Sequence, residues 1–148
     1  MTKIEPRIAH IERNTIETKI SCDINLDGSG NANINTGIGF LDHMLEQIAK
    51  HGLFDINIIA NGDLHIDMHH TTEDVGIVLG QAFKKALDNK IGIVRFSDVL
   101  MPMDETLTRI ALDISGRPFL KWNVKFRPST VGNMDTELFQ DLFHAFAH

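Results

Sequence analysis

Ile56-Asn57-Ile58-Ile59-Ala60-Asn61-Gly62-Asp63-Leu64-His65-Ile66-Asp67-Met68-His69-His70-Thr71-Thr72-Glu73 is the stretch on which the fold turns. Alternating aliphatic residues on both sides of Asn61-Gly62 predict two paired strands, 56–60 and 63–67, joined at a favoured hairpin dipeptide. The second strand would deliver the chain directly into His69-His70. A helix is then expected from about Thr72 to Asp88, with Val75, Leu79, Ala82, Phe83 and Ala86 inward at helical spacing. Strands feeding helices in this order predict an α+β protein, with helices laid on one face of a sheet.

The flanks follow the same grammar. Residues 7–26 alternate, with Ile16, Ile20, Ile24 and Leu26 against Thr15, Glu17, Lys19, Ser21 and Asp23, and read as extended. Asp27-Gly28-Ser29-Gly30-Asn31 is a turn, and a short strand follows at 32–35. Leu41, Met44, Leu45, Ile48 and Ala49 mark a helix that His51-Gly52 should end with a glycine cap; its polar face carries His43, Glu46, Gln47 and Lys50. Strands are expected again at 94–101, stopped by Pro102, at 106–114 and at 119–126, before a last helix with Leu138, Leu142, Ala145 and Phe146 in its apolar stripe. Strands and helices thus occur twice, which predicts duplicated half-domains in two layers. One domain, 1–148, would contain a first half over about 7–93 and a second over 94–148.

Composition narrows the function. The chain has 148 residues, 43% of them hydrophobic, and a net charge of −6 from 14 basic and 20 acidic residues. No basic run is longer than Lys84-Lys85, which argues against nucleic acid as a partner, because phosphate neutralisation needs a concentrated positive face. The Met1–Pro6 lead has no apolar run and nothing approaches a membrane span, so no membrane partner is expected. Cys22 is the single cysteine, which fits a reducing cytoplasm and, within its alternating strand, a packing role. Phosphate-loop, dinucleotide-fingerprint, serine-elbow and paired-cysteine motifs are absent.

Imidazole and carboxylate chemistry remains. Residues three or four apart share a helix face, so Glu73 can sit beside His69 or His70. The two histidines point about 100° apart on a helix and do not readily serve one ion together with Glu73. Two ions, or a site shared between subunits, is the natural consequence. Mixed nitrogen and oxygen donors suit Mn²⁺, Fe²⁺ or Zn²⁺. The competing explanation makes Glu73 and Asp74 first-turn acids that complement the helix dipole, behind a Thr71 or Thr72 cap. It leaves the two histidines unexplained, since a cation is disfavoured there. Arg95, in a strand, and Arg117, in a Gly-Arg-Pro turn, could each clamp a phosphate or simply pair with an acid. Glu17 by itself reads as strand surface. Asp104-Glu105 reads either as a supporting acid or as a turn.

Arg13-Asn14-Thr15-Ile16-Glu17-Thr18, Thr36-Gly37-Ile38-Gly39-Phe40-Leu41-Asp42-His43-Met44-Leu45 and Asp67-Met68-His69-His70-Thr71-Thr72-Glu73-Asp74-Val75-Gly76 together resemble the imidazoleglycerol-phosphate dehydratase family. Pro102-Met103-Asp104-Glu105-Thr106-Leu107, Asp113-Ile114-Ser115-Gly116-Arg117-Pro118 and Asp135-Thr136-Glu137-Leu138 extend the resemblance over nearly the whole chain. It implies a hydro-lyase of L-histidine biosynthesis that converts D-erythro-imidazoleglycerol phosphate to imidazoleacetol phosphate and water. It also implies a fold like domain 2 of ribosomal protein S5, and two Mn²⁺ ions per active site. The matching positions make His43, His69, His70 and Glu73 metal ligands, Arg95 and Arg117 phosphate contacts, Gln47 a substrate contact, and Glu17 a carboxylate near the reacting carbons. Glu17 and Glu73 are thereby the candidate proton carriers, with metal on the substrate's imidazole as Lewis acid. Self-association into trimers and a cubic-symmetry shell is implied as well.

The family carries a second His-His-x-x-Glu segment near its C-terminus, a further ligand histidine before it and a phosphate-binding lysine after it. This sequence reaches His148 before them, and His144 and His148 do not fall at the family's ligand position. A C-terminally truncated chain is therefore expected, with each metal short of half its shell. A catalytically inactive metal-binding oligomerisation module is the alternative to a working dehydratase, and a metal-dependent hydrolase on the same ligands is a third reading.

Overall fold

In the computed structural model, which describes residues 6–148, β1 (Ile8–Asn14) and β2 (Thr18–Asn25) form an antiparallel hairpin. The Met1–Glu5 lead, read above as free of an apolar run, lies outside the described residues. The expected extended run 7–26 is broken at 15–17, where Thr15 Oγ1 accepts the N–H groups of Glu17 (3.1 Å) and Thr18 (2.9 Å). This side-chain turn is stronger local chemistry than alternation.

β3 (Ala32–Asn35), α1 (Gly39–Gly52), β4 (Asp55–Gly62) and α2 (His69–Leu87) follow. The sheet order is β1-β2-β4-β3, with β4 antiparallel to β2 and parallel to β3. Period-2 alternation turns Thr18, Ile20, Cys22 and Ile24 of β2, and Ile56 and Ile58 of β4, to one buried face. Leu41, Leu45 and Ala49 of α1 and Val75, Val78, Leu79, Ala82 and Ala86 of α2 complete that core. Each large aliphatic side chain so buried contributes about 1.5–3 kcal/mol. Cys22 is fully enclosed, and burial pushes its thiol up to about 12, which fits packing and not nucleophilic chemistry.

Three local expectations are corrected. Asn61-Gly62 is no hairpin turn: both residues belong to β4 and pair with Lys19 and Thr18 of β2, and 63–67 form no strand. The glycine is needed there for approach, because a Cβ at Gly62 would land on Thr71 Oγ1 of α2. The α2 helix starts at His69, not Thr72, since Asp67 Oδ1 accepts the His69 N–H at 2.8 Å while the buried Thr71 and Thr72 hydroxyls cap nothing. Gly52 ends α1 from inside the helix, and the left-handed residue that follows is Leu53 (φ 56°).

The exposed face of the sheet carries a polar rung across all four strands. His10 Nδ1 pairs with Asp23 Oδ1 (2.7 Å), Asn57 Nδ2 donates to Asp23 Oδ2 (3.0 Å), and Asn33 Nδ2 donates to Asn57 Oδ1 (2.7 Å). Register explains it: each pair sits directly opposite on neighbouring strands. Asp23, with Glu12 behind it, raises the His10 pKa, and the Asn57 hydrogen bond followed by His10 lowers that of Asp23. Lys85 Nζ donates to the His10 carbonyl at 3.0 Å and is the nearby cation. A raised histidine stabilises the fold below its unfolded pKa and loses that contribution as pH rises through the folded value. A lowered Asp contributes above its unfolded pKa and loses the contribution as pH falls through the folded one. His10→Gln should therefore cost stability between the carboxylate and histidine ranges, with the difference closing as pH rises past the His10 titration. Urea midpoints of both proteins across pH check this, and a pH-independent difference refutes it.

The described residues fall into two compact units: 6–88 together with Phe119–His148, and Asn89–Pro118. The second unit is an antiparallel ribbon of β5 (Phe96–Met103) and β6 (Thr106–Asp113), exposed at every position. Pro102 lies inside β5 instead of ending it. Asp104-Glu105 is the two-residue turn, with Asp104 at φ 49°, so these acids are turn residues. In the first unit, the strand expected at 119–126 does not form. Its alternation expresses itself in side-chain contacts: Trp122 lies 5.8 Å from Phe143, and Phe126 lies 5.4 Å from Phe139. After a short β7 (Thr130–Val131) and β8 (Met134–Asp135), α3 (Leu138–Ala147) packs along α2. Gly76 allows that approach, since a Cβ there would come within 2.6 Å of the Leu142 carbonyl.

Candidate metal and substrate site

The mouth of α2 presents His69, His70 and Glu73 to solvent. Helical spacing puts Glu73 beside His69, with His69 Nε2 3.9 Å from Glu73 Oε2, while the His69 and His70 rings stand 6.1 Å apart at 70°. The histidines thus diverge as their adjacency requires. Two acids that the sequence reading passed over flank them. Asp141 Oδ2 of α3 is 3.9 Å from His69 Nδ1, and Asp63 Oδ2, just past β4, is 2.9 Å from His70 Nδ1. Neither carries a local signal, because both approach through tertiary packing. The Asp63 hydrogen bond raises the His70 pKa, with smaller charge contributions from Glu17 and Asp67.

Glu17 is therefore within electrostatic reach of His70, and its backbone support is specific. It sits in the Thr15–Thr18 turn, which is tied to α2 by Asp74: Thr18 Oγ1 donates to Asp74 Oδ2 (2.5 Å) and Arg13 Nε donates to Asp74 Oδ1 (2.9 Å). Asp74 is buried and follows Glu73 directly, so one turn of helix offers Glu73 outward and locks the Glu17 turn inward.

The entry to α1 is held by Asp42, whose Oδ1 accepts from Thr36 N (2.8 Å) and Thr36 Oγ1 (2.6 Å). His43 is the next residue; it is exposed, with its ring 6.3 Å from Phe40, and Gln47 Nε2 donates to its carbonyl at 3.4 Å. A cavity of about 250 Å³ opens between Gly39 and Phe40 at the start of α1, Met68 at the cap of α2, and Gly132-Asn133. Among the described residues, no group of three or more His, Cys, Asp or Glu side chains converges tightly enough to enclose an ion.

Arg95 and Arg117 lie in the 89–118 unit. Arg95 forms a bidentate pair with Asp113 (2.6 and 3.2 Å) and stacks over Phe96. Arg117 also contributes charge at Asp113, so two guanidinium groups act on one acid in this unit.

Residues 36–148 match the family model described as imidazoleglycerol-phosphate dehydratase. Enzymes of that name from Xanthobacter autotrophicus and Methylorubrum extorquens are each 60% identical over 141 residues, which is 95% of this chain and 72% of theirs. The Staphylococcus aureus crystal structure superposes with a TM-score of 0.84 at 40% identity, covering 95% of this chain and 77% of that one. The Pyrococcus furiosus structure gives 0.78 at 32%, covering 93% and 72%. An α+β fold with a histidine- and carboxylate-rich helix mouth is here that of a lyase, of the kind that removes water. The chain belongs to the imidazoleglycerol-phosphate dehydratase family of histidine biosynthesis. Among the described residues, no helix is long and apolar enough to cross a membrane.

Proposed function

We propose that this protein dehydrates D-erythro-imidazoleglycerol phosphate to imidazoleacetol phosphate in a Mn²⁺-dependent reaction in the cytoplasm. The observation that carries the reading is the α2 mouth: exposed imidazole and carboxylate donors on one helical turn, ringed by Asp63, Asp67 and Asp141. Those acids offset the positive end of the helix dipole and suit a hard divalent cation. His43, His69, His70 and Glu73 are the proposed ligands, arranged for two ions, with subunits of a trimer and cubic-symmetry shell completing what one chain leaves open. The bound metal would supply Lewis-acid polarisation of the substrate's imidazole. Glu17 takes and returns the proton at the reacting carbons, and Glu73 serves as the second proton-handling carboxylate. Gln47, on the same face of α1 as His43, is a further substrate contact. Arg95 and Arg117 grip the phosphate with planar forks, contributing orientation more than bond-making. Within the chain, we read 7–93 and 94–148 as two half-repeats of one domain.

The competing reading, a metal-binding oligomerisation module without turnover, draws on the absence of any closed three-donor cluster among the described residues. Assay of the chain on imidazoleglycerol phosphate with and without Mn²⁺ separates the two. Ketone formation with phosphate retained is expected, dependent on metal. Mn²⁺ binding without turnover favours the module, and release of inorganic phosphate instead of ketone refutes dehydration.

A further inference from the structure

We propose that Asp63 is a positioning residue that locks the His70 imidazole by its Nδ1 and so presents Nε2 outward as the donor atom, a role that rests on His70 being a ligand. The Asp63 side chain is 13% exposed and that of His70 45%, so the acid is the fixed partner and the imidazole the accessible one. Their 2.9 Å contact requires Nδ1 to carry the hydrogen toward the carboxylate, which leaves the lone pair of a neutral ring on Nε2. The carboxylate has no other work. Among the described residues, His70 is the only hydrogen-bond partner of its side chain, and its Oδ1 is buried without one.

Such a carboxylate is poorly compensated as architecture, because a desolvated oxygen is costly without a partner. It makes sense as support for a positive charge gathered on the far side of the ring, where a hydrogen-bonded acid also makes the imidazole a stronger donor. The mounting is stiff. Asp63 follows Gly62, the point where β4 meets α2 so closely that no side chain fits against Thr71, and Thr71 follows His70. Strand end and helix mouth therefore hold acid and imidazole in one register. His69 has no equivalent, since its two acids both stand 3.9 Å away.

Nitrogen NMR of the metal-free full chain, recorded above the pH at which the ring titrates, reads the tautomer directly. Mn²⁺ calorimetry is run in parallel on wild type, Asp63→Ala, Asp63→Asn and His70→Ala. Expected are an Nδ1–H tautomer at His70 that is lost in Asp63→Ala, and Mn²⁺ binding weakened about 10–100-fold in that variant. Asp63→Asn, whose carbonyl still accepts from Nδ1, should recover most of the affinity. A purely structural Asp63 would lower the unfolding midpoint and leave the tautomer as it was. An Nε2–H tautomer in the wild type, or wild-type affinity in Asp63→Ala while His70→Ala binds weakly, overturns the proposal and leaves the ligand reading intact. Undiminished binding by His70→Ala overturns the ligand reading itself, and the proposal with it.

Discussion

Asp74→Ala is expected to lower the unfolding free energy by about 3 kcal/mol, at the low end of the cost of breaking a buried ion pair. The side chain is 9% exposed and accepts from both Arg13 and Thr18, so its removal takes two charge-assisted hydrogen bonds at once. The loss is limited because Arg13 is 35% exposed and can turn to water, and because Thr18 Oγ1 keeps Thr15 Oγ1 at 3.2 Å. Arg13→Ala should cost more, about 3–5 kcal/mol, because it strands the carboxylate inside with only a hydroxyl. That inverted order, in which deleting the exposed partner hurts more, distinguishes a buried charge from a generic contact. Urea unfolding of both variants measures it, and equal losses below about 1 kcal/mol, the range of surface pairs, would sink the account. The double variant should resemble Asp74→Ala, since the two residues share one interaction.

Why Asp74 escapes a reading of the sequence shows how far residues alone reach. Periodicity marked Val75, Leu79, Ala82, Phe83 and Ala86 as the inner face of α2, and all but the partly buried Phe83 are buried. Alternation in 18–24 and 56–58 likewise matched the buried face of the sheet, because a one-sided core imposes a strict period of two. The α+β class follows from those two periods. Four things were hidden. The 56–67 segment looked like a hairpin, because Asn-Gly carries the same letters whether the glycine serves a turn or a close approach. The 119–126 segment looked like a strand, because alternation reports which side chains seek cover and is silent on whether a backbone partner exists. At the site, His69, His70 and Glu73 were legible as a local motif. Asp63 and Asp141 were not, because they reach the histidines across the β4–α2 junction and from α3. Acids that a first turn attracts for its dipole also masked Asp74, whose burial depends on Arg13 and Thr18 far upstream.

Glu17→Gln should reduce kcat by about 10²–10⁴-fold, the span of a general acid–base contribution, while leaving the fold and Mn²⁺ affinity near those of the wild type. The amide keeps the shape of the side chain and its place in the Thr15–Thr18 turn, which is built by the Thr15 hydroxyl and the backbone and does not use the carboxylate. Among the described residues, that carboxylate enters no hydrogen bond or ion pair, so no folding energy is lost with it. What changes is its capacity to carry a proton and its negative charge near His70. Glu73→Gln provides the contrast. Glu73 faces His69 on the same helical turn, so its substitution should weaken Mn²⁺ binding as well as turnover. Steady-state kinetics at saturating metal, beside calorimetry, separates the two carboxylates: Glu17 moves kcat alone, and Glu73 moves both. Retention of kcat within a few-fold in Glu17→Gln would remove Glu17 from proton transfer and leave Glu73 to carry it. Asp74→Asn then becomes informative, because loosening the Glu17 turn without touching either carboxylate should lower kcat only if Glu17 acts from that turn.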